Sequence, residues 1–174
     1  MTTHQDHTAW ISSTIDPATR KAACLLSWGT VQALLTPETT LATARDLTAA
    51  AAAAETDVAL IRSLREDVHA DDTVVGGLLQ AVRSRRAMPS STRPALRIHA
   101  VAGAKTGRPY VHIGRGTLKA ELTPDAAREM AGHWTEAAVA AQIDVRLRYV
   151  LGEHPHLTPD DINTIFERLQ SVQR

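Results

Sequence analysis

The sequence predicts a mostly α-helical α+β protein, and three features of the chain lead to this fold class. Aromatic residues make up only 3% of the 174 residues while hydrophobic residues reach 44%, so the core depends on aliphatic and many Ala side chains. Small Ala side chains fill little volume and favour helices that approach each other closely. A helix-start motif recurs along the chain, and a central segment changes to the two-residue alternation that is typical of a β-hairpin.

The recurring motif is Leu-Thr-Pro followed by an acidic residue. The Thr is suited to cap a helix, the Pro to occupy its first position, and the acid to face the helix dipole. The motif starts at Leu35, Leu122 and Leu157, and Asp16-Pro17 has the same character. The predicted helices are 17–35, a long helix from Pro37 towards Val68, 73–86, a long helix from Pro124, and 159–172.

An apolar seam on the second helix indicates a close contact with another helix. Its residues alternate spacings of four and three, as in coiled coils, and they are Leu47, Ala51, Ala54, Val58 and Ile61.

The segment 96–113 predicts an antiparallel hairpin with its tip at 103–107. The register that fits the alternation pairs Ile98 with Ile113 and Ala100 with Val111 on one face, and His99 with His112 on the other. A third strand is expected over 117–122. Residues 143–151 fit both a helix and a strand, and the helix is preferred because neither Gly nor Pro separates them from the preceding Ala-rich segment.

The predicted organisation is a helical N-terminal half, a small antiparallel β-hairpin or three-stranded meander, and a long C-terminal helix. Its segments are a flexible N-terminus over 1–16, a helical segment over 17–87, a linker over 88–95 and a hairpin with C-terminal helices over 96–174. The last segment is expected to share one core with 17–87.

The net charge of zero conceals a strong segregation of charge. Residues 1–72 hold ten acids and five bases, residues 73–120 hold nine bases and no acid, and residues 121–174 hold nine acids and five bases. Such a basic segment is typical of a surface that attracts phosphates. In the competing interpretation it packs against its acidic neighbours, or against another subunit, and is neutralised there.

Several functional classes find no support in the residues. The single Cys24 excludes an intrachain disulfide framework and a Cys-based zinc ribbon, and the His residues lack the spacing of a metal motif. No nucleophile signature occurs, and the segment 103–106 lacks the second Gly of a phosphate-binding loop. We therefore expect no metal, no cofactor and no enzyme activity, while an active site without a sequence signature stays open.

The expected location is the cytoplasm, because no apolar run approaches 18 residues and the first residues do not resemble a signal peptide. Arg outnumbers Lys sixteen to three and Ala is abundant, a bias that suggests a GC-rich bacterial gene.

The order helix, short turn, helix, basic linker and hairpin over 58–113 fits a winged helix-turn-helix. The sequence thus predicts a small bacterial nucleic-acid-binding or regulatory accessory protein, forming a homo-oligomer, namely a homodimer, with DNA rather than RNA as its partner. Its predicted phosphate contacts are Arg83, Arg85, Arg86, Arg93, Arg97, Lys105, Arg108 and Arg115. The alternative is a helical protein–protein interaction or scaffolding module without a nucleic-acid role.

Overall fold

A computed structural model of the chain describes residues 9–86, 94–103 and 106–172, with side chains up to residue 169. Within these residues the chain forms two three-stranded antiparallel sheets and four helices. In chain order they are β1 (Trp10–Ile15), β2 (Ala22–Trp28), β3 (Val31–Leu35), α1 (Pro37–Glu66), α2 (Asp72–Ser84), β4 (Arg97–Ala102), β5 (Pro109–Arg115), β6 (Leu118–Leu122), α3 (Pro124–Gly152) and α4 (Pro159–Val172).

The two halves of the chain are structural repeats. Every element of the first half recurs half the 174-residue chain later, so β1 to β3, α1 and α2 correspond to β4 to β6, α3 and α4. The strand registers correspond as well, because Cys24 pairs with Leu35 in the first sheet and Val111 pairs with Leu122 in the second. Each half is therefore three strands followed by two helices.

The same two-residue turn joins the second and third strands of each repeat. Gly29 precedes Thr30 in the first turn and Gly116 precedes Thr117 in the second. Both glycines adopt a positive φ, 57° and 58°, which a residue without a side chain adopts at little cost.

The predicted helical N-terminal half is wrong, because β2 and β3 occupy the region where a helix was expected over 17–35. Cys24, Trp28, Val31 and Leu35 have helical spacing, yet the burial of Cys24, Leu26 and Trp28 alternates as in a strand. The turn at Gly29 separates β2 from β3 and breaks the apparent helical stripe. The mostly α fold with one small meander is accordingly replaced by two equivalent sheets with two helices each.

The expected helix start at Asp16 is a turn between β1 and β2. The Asp16 carboxylate accepts hydrogen bonds from the Ala18 amide at 2.9 Å and the Thr19 hydroxyl at 2.7 Å. These bonds stabilise the turn. They also hold the pKa of Asp16 below its ordinary value, and the Thr19 bond is the main cause. An Asp-Pro pair starts turns as readily as helices.

The predicted flexible N-terminus over 1–16 is wrong for Trp10–Ile15, which forms β1 and pairs with β2, whereas the later helices and the hairpin are confirmed. The three Leu-Thr-Pro motifs lead into α1, α3 and α4, and the capping hydroxyls of Thr36 and Thr123 each accept the amide three residues later at 3.2 Å. Residues 143–151 belong to α3. The hairpin β4–β5 has the predicted register, with His99 opposite His112, and β6 supplies the third strand.

The two long helices, α1 and α3, pack against each other and run antiparallel. Leu41 near the start of α1 packs in the cluster of Ala138 and Ala141, while Glu55 further along α1 pairs with Arg128 near the start of α3. Each helix packs chiefly on the sheet of the other half, α1 on β4 and β5 and α3 on β1 and β2. The halves therefore share one core, which contains the buried Trp28 and Trp134.

The seam predicted on α1 forms the centre of this contact. Leu47, Ala51 and Ala54 are fully buried, whereas Val58 and Ile61, nearer the C-terminal end of α1, are partly exposed. The prediction of a close helix pair is confirmed for the first three.

The order helix, helix and hairpin is present, but it crosses from one βββαα repeat into the next and does not form a winged helix-turn-helix. The predicted linker 88–95 falls mostly on residues outside the described part, whereas Ala95 and Leu96 are buried.

Candidate nucleic-acid interface

Two of the three Arg residues at the end of α2 contact a buried acid on α1. Arg83 donates from Nε to Asp57 Oδ2 at 2.9 Å, and Arg86 donates to both carboxylate oxygens. Arg86 also donates to the Ala53 carbonyl at 3.3 Å. Asp57 has no exposed surface, so this cluster binds α2 to α1 with an ion pair that is buried on its acidic side.

The third residue of the predicted cluster, Arg85, faces solvent. It is the C-cap residue of α2 and makes no ion pair with any described residue. The predicted cluster is therefore divided: two guanidinium groups are directed inwards and one is directed outwards, as expected when consecutive helical positions turn by about 100°.

The remaining predicted contacts lie around the second sheet. Arg115 donates to the Ala95 carbonyl at 2.5 Å and is partly buried at the end of β5. Arg108 is exposed at the opposite end, just before β5. Arg93 and Lys105 lie outside the described residues.

The outward face of β4, β5 and β6 carries charged and His side chains in cross-strand rows. One row joins Arg97, Gly114 and Lys119, and the next joins His99, His112 and Glu121. The inward-facing residues of the same strands, such as Val111 and Ile113, are buried against the helices. We call this surface, formed by Arg97, His99, His112, Gly114, Lys119 and Glu121, the outer face.

Gly114 creates space between the two cations of the first row. Because it has no side chain, the Arg97 guanidinium lies beside its Cα, and a Cβ at this position would be 3.7 Å from Arg97 Nη2. Arg97 Nη2 is held by the Gly116 carbonyl at 2.7 Å, and Lys119 is exposed on the other side of Gly114. Both rows line a shallow depression of about 520 Å³.

The second row contains an ion pair whose charge depends on protonation. His112 Nε2 lies 2.8 Å from Glu121 Oε2, and both side chains are about half exposed. His99, opposite His112 across β4 and β5, is exposed and makes no hydrogen bond with a described side chain. At neutral pH the outer face thus carries the cations Arg97 and Lys119 with a single acid, Glu121, beside a His ring.

The first repeat provides an internal comparison for the outer face. The positions that correspond to Arg97, His99, His112, Lys119 and Glu121 hold uncharged residues, namely Trp10, Ser12, Leu25, Gln32 and Leu34. Both sheets have the same register and the same place in their repeat. The charged residues of the second sheet are therefore not required by the fold.

The sequence analysis missed residues on the outer face and one residue in the contact between α1 and α2. The cross-strand pair of His99 and His112 was predicted, but Lys119 and Glu121 on β6 were not assigned to the same face, although a third strand of period two places them there. Asp57 was also overlooked. It follows Ala54 by three positions and so lies on the apolar seam of α1, where a single acid indicates a buried partner.

Other kinds of site find no support in the described part of the chain. Among these residues no three His, Cys, Asp or Glu side chains are arranged to hold a metal ion. None of the described helices is both long and apolar enough to cross a membrane. Cys24 is fully buried, and burial raises the pKa of its thiol.

Searches with protein-family models, curated proteins and solved structures gave no match to this chain.

Proposed function

We propose that the protein is a nucleic-acid-binding accessory protein that contacts phosphates through the outer face of β4 to β6. The observation that carries the proposal is the first row of this face. Arg97 and Lys119 flank the side-chain-free position Gly114, and the bond to Gly116 holds the guanidinium in place. An Arg guanidinium with free N–H groups beside a Lys ammonium is suited to phosphate oxygens.

The comparison between the repeats supports a functional origin for these charges. Uncharged residues at the corresponding positions of β1 to β3 are compatible with the same sheet, so stability does not explain the charges on the second sheet. Arg83 and Arg86 already form ion pairs with Asp57. The sheet is therefore a better candidate for phosphate contacts than α2.

Single-stranded nucleic acid fits the outer face better than a duplex. The six residues of β4 and the three strands give a surface of about 20 Å by 10 Å, with spacings of about 3.3 Å per residue and 4.8 Å between strands. The rings of Tyr110, His99 and His112 lie between Arg97 at one end and Arg108 at the other. Flat sheets with rings between cations bind single strands through stacking and phosphate contacts.

The test is a titration of labelled oligonucleotides followed by fluorescence anisotropy. A single strand of about 12 nucleotides should bind with a dissociation constant in or below the range of roughly 10⁻⁴–10⁻⁶ M that non-specific binders show at physiological salt. The variant Arg97→Gln/Lys119→Gln should bind at least about tenfold more weakly. The matched control is Lys21→Gln/Arg62→Gln, which removes one Lys and one Arg from exposed positions elsewhere.

The control variant should bind like the parent protein. Equal losses in both double variants would mean that only net charge matters, and the outer face would then not be the site. If micromolar protein binds neither single strands nor duplexes at about 50 mM salt, the proposed function is wrong. Preference for duplex over single strand would retain nucleic-acid binding but contradict the stacking arrangement.

A second function, protein–protein interaction, is favoured by a different observation. Apolar side chains are exposed at regular helical spacing on α2, α3 and α4, and exposed apolar patches of this kind mark interaction surfaces.

A further inference from the structure

The first repeat exposes a Trp side chain on the outward face of its sheet. Trp10 begins β1 and is 69% exposed, whereas the next residue, Ile11, packs against the core. The other two Trp residues of the chain, Trp28 and Trp134, are buried. Because a Trp ring is among the largest apolar groups of a protein, an exposed one at a regular strand position indicates a binding surface.

Trp10 occupies in the first sheet the position that Arg97 occupies in the second. Its cross-strand row continues through Ser27 to Gln32, just as Arg97 belongs to the first row of the outer face. In each sheet a single residue pair separates this row from the turn between the second and third strands. The two rows therefore lie at the same end of their sheets.

The two sheets meet at these ends. A Cβ on Gly29 would lie 3.9 Å from Leu118 Cδ1, and Val31 lines a depression of about 630 Å³ together with Gly116 and Arg97. These neighbours are reciprocal, because Gly29 corresponds to Gly116 and Val31 to Leu118. Reciprocal pairs of this kind arise when a two-fold axis relates two units.

The two-fold relation places both outward faces on the same side of the protein. The helices α1 and α3 pack side by side and run antiparallel, so the axis that exchanges them is perpendicular to the plane that contains both. Rotation about this axis moves a sheet from one helix to the other but leaves it on the same side of that plane. The Trp10 ring and the cations of the outer face therefore point in the same direction.

We propose that Trp10 stacks on a base of the single-stranded nucleic acid whose phosphates contact Arg97 and Lys119. This inference rests on the proposed function and extends the interface across the junction onto the first sheet. Every base has a flat face that stacks on an aromatic side chain, whatever the sequence of the strand. The neighbouring cations favour this occupant over an apolar segment of a protein, because a nucleic acid offers phosphates to one row and bases to the other.

A strand that lacks bases separates stacking from any other role of Trp10. With a single strand of about 12 nucleotides, Trp10→Ala should bind at least about fivefold more weakly than the parent protein in fluorescence anisotropy, the loss expected for one stacked base. An abasic strand of the same length keeps its phosphates, so the parent and Trp10→Ala should bind it equally. Trp10→Phe retains a ring and should retain most of the affinity for the normal strand.

Tyr149→Ala is the matched control for these variants. Tyr149 is an aromatic residue with the same exposure as Trp10, 69%, but it lies on α3. The control should bind both strands like the parent. Because both positions are exposed, all of these variants should also melt like the parent.

Intrinsic fluorescence provides an independent measurement. Trp28 and Trp134 are buried, so an emission that is quenched by a stacked base comes from Trp10. The normal strand should quench the parent protein, whereas the abasic strand should not. Trp10→Phe should show no quenching with either strand.

Each contrary result overturns the inference in a recognisable way. Equal losses of Trp10→Ala on the normal and the abasic strand would show that Trp10 acts without contacting a base. Normal binding by Trp10→Ala, with unquenched emission in the parent, would remove Trp10 from the interface and leave the phosphate contacts of the outer face standing. A parent protein that binds no oligonucleotide would contradict the proposed function itself. An emission that changes with protein concentration but not with oligonucleotide would assign Trp10 to a contact between copies of the chain.

Discussion

Asp57 and Asp144 occupy equivalent positions in the two repeats but have different surroundings. Asp57 is fully buried and accepts hydrogen bonds from Arg83 and Arg86. Asp144 is partly buried, and burial raises the pKa of its carboxyl group, an effect that nearby Arg148 only partly opposes. Asp57 thus binds α2 to α1 in the first repeat, whereas the equivalent Asp144 lies in a less favourable environment in the second.

We predict that Asp57→Asn destabilises the protein by about 1–3 kcal/mol, because it leaves two Arg side chains without their partner in a partly desolvated site. Urea unfolding measures the change. Glu55→Gln serves as the control, since it removes an exposed acid two residues away that pairs with Arg128 and should destabilise the protein much less than Asp57→Asn. Equal costs would mean that the burial of Asp57 is energetically unimportant.

Asp144→Asn should instead raise the melting temperature at neutral pH. A carboxyl group whose folded pKa is raised binds its proton more tightly in the folded state, so its ionisation disfavours folding at higher pH. As pH falls through the raised folded pKa towards the ordinary value of 3.8, the Asp144 carboxyl group of the parent protein becomes protonated. The difference in melting temperature between the parent and the Asn variant then disappears. Melting curves across this range check the convergence, and a constant difference would contradict it.

Ala51→Leu should cost about 1–3 kcal/mol, because Ala51 is completely buried where α1 meets α3 and a larger side chain overpacks this contact. Ala52→Leu is the matched control. Ala52 is the next residue on the same helix but is exposed, so this variant should melt like the parent. If the two variants melt at the same temperature, the contact between α1 and α3 has room for a larger side chain at this position.

The salt dependence of oligonucleotide binding should follow the number of phosphates contacted. For single strands each phosphate neutralised contributes about −0.7 to the slope of log K against log salt concentration. Arg97→Gln and Lys119→Gln should each reduce the magnitude of the slope by about this amount. A slope that stays unchanged in both variants, despite weaker binding, would indicate that neither side chain contacts phosphate.

Cys24 should react slowly with alkylating reagents in the folded protein. Its thiol is buried, and burial raises its pKa, so little reactive thiolate is present or accessible at neutral pH. Mass spectrometry after iodoacetamide treatment, with and without denaturant, measures the protection. Alkylation at the rate of the denatured chain would show that the first sheet opens readily.

The proposed nucleic-acid interface consists of positions at which the repeats have diverged. Charges distinguish the outer face from its counterpart on β1 to β3. A tandem fold needs its buried residues in both halves, but it leaves the surface of each half free to acquire a separate role.

The sequence by itself determined the elements whose signals are local. Caps such as Thr36 and Thr123 act within one helical turn, so they located the starts of α1 and α3. Alternation over 96–113 likewise determined the register of β4 and β5, because a shift by one residue would expose the side chains of Ile98 and Ile113.

The tertiary structure decided every feature that depends on distant residues. The spacing of Cys24, Trp28 and Leu35 suits a helix as well as two strands, and pairing with β1 and packing against α3 select the strands. The partners Asp57 and Arg83 are 26 residues apart, so no local pattern showed which Arg side chains face inwards. Side-chain direction at a helix end follows from the helix packed beside it, and that neighbour is known only once the chain is folded.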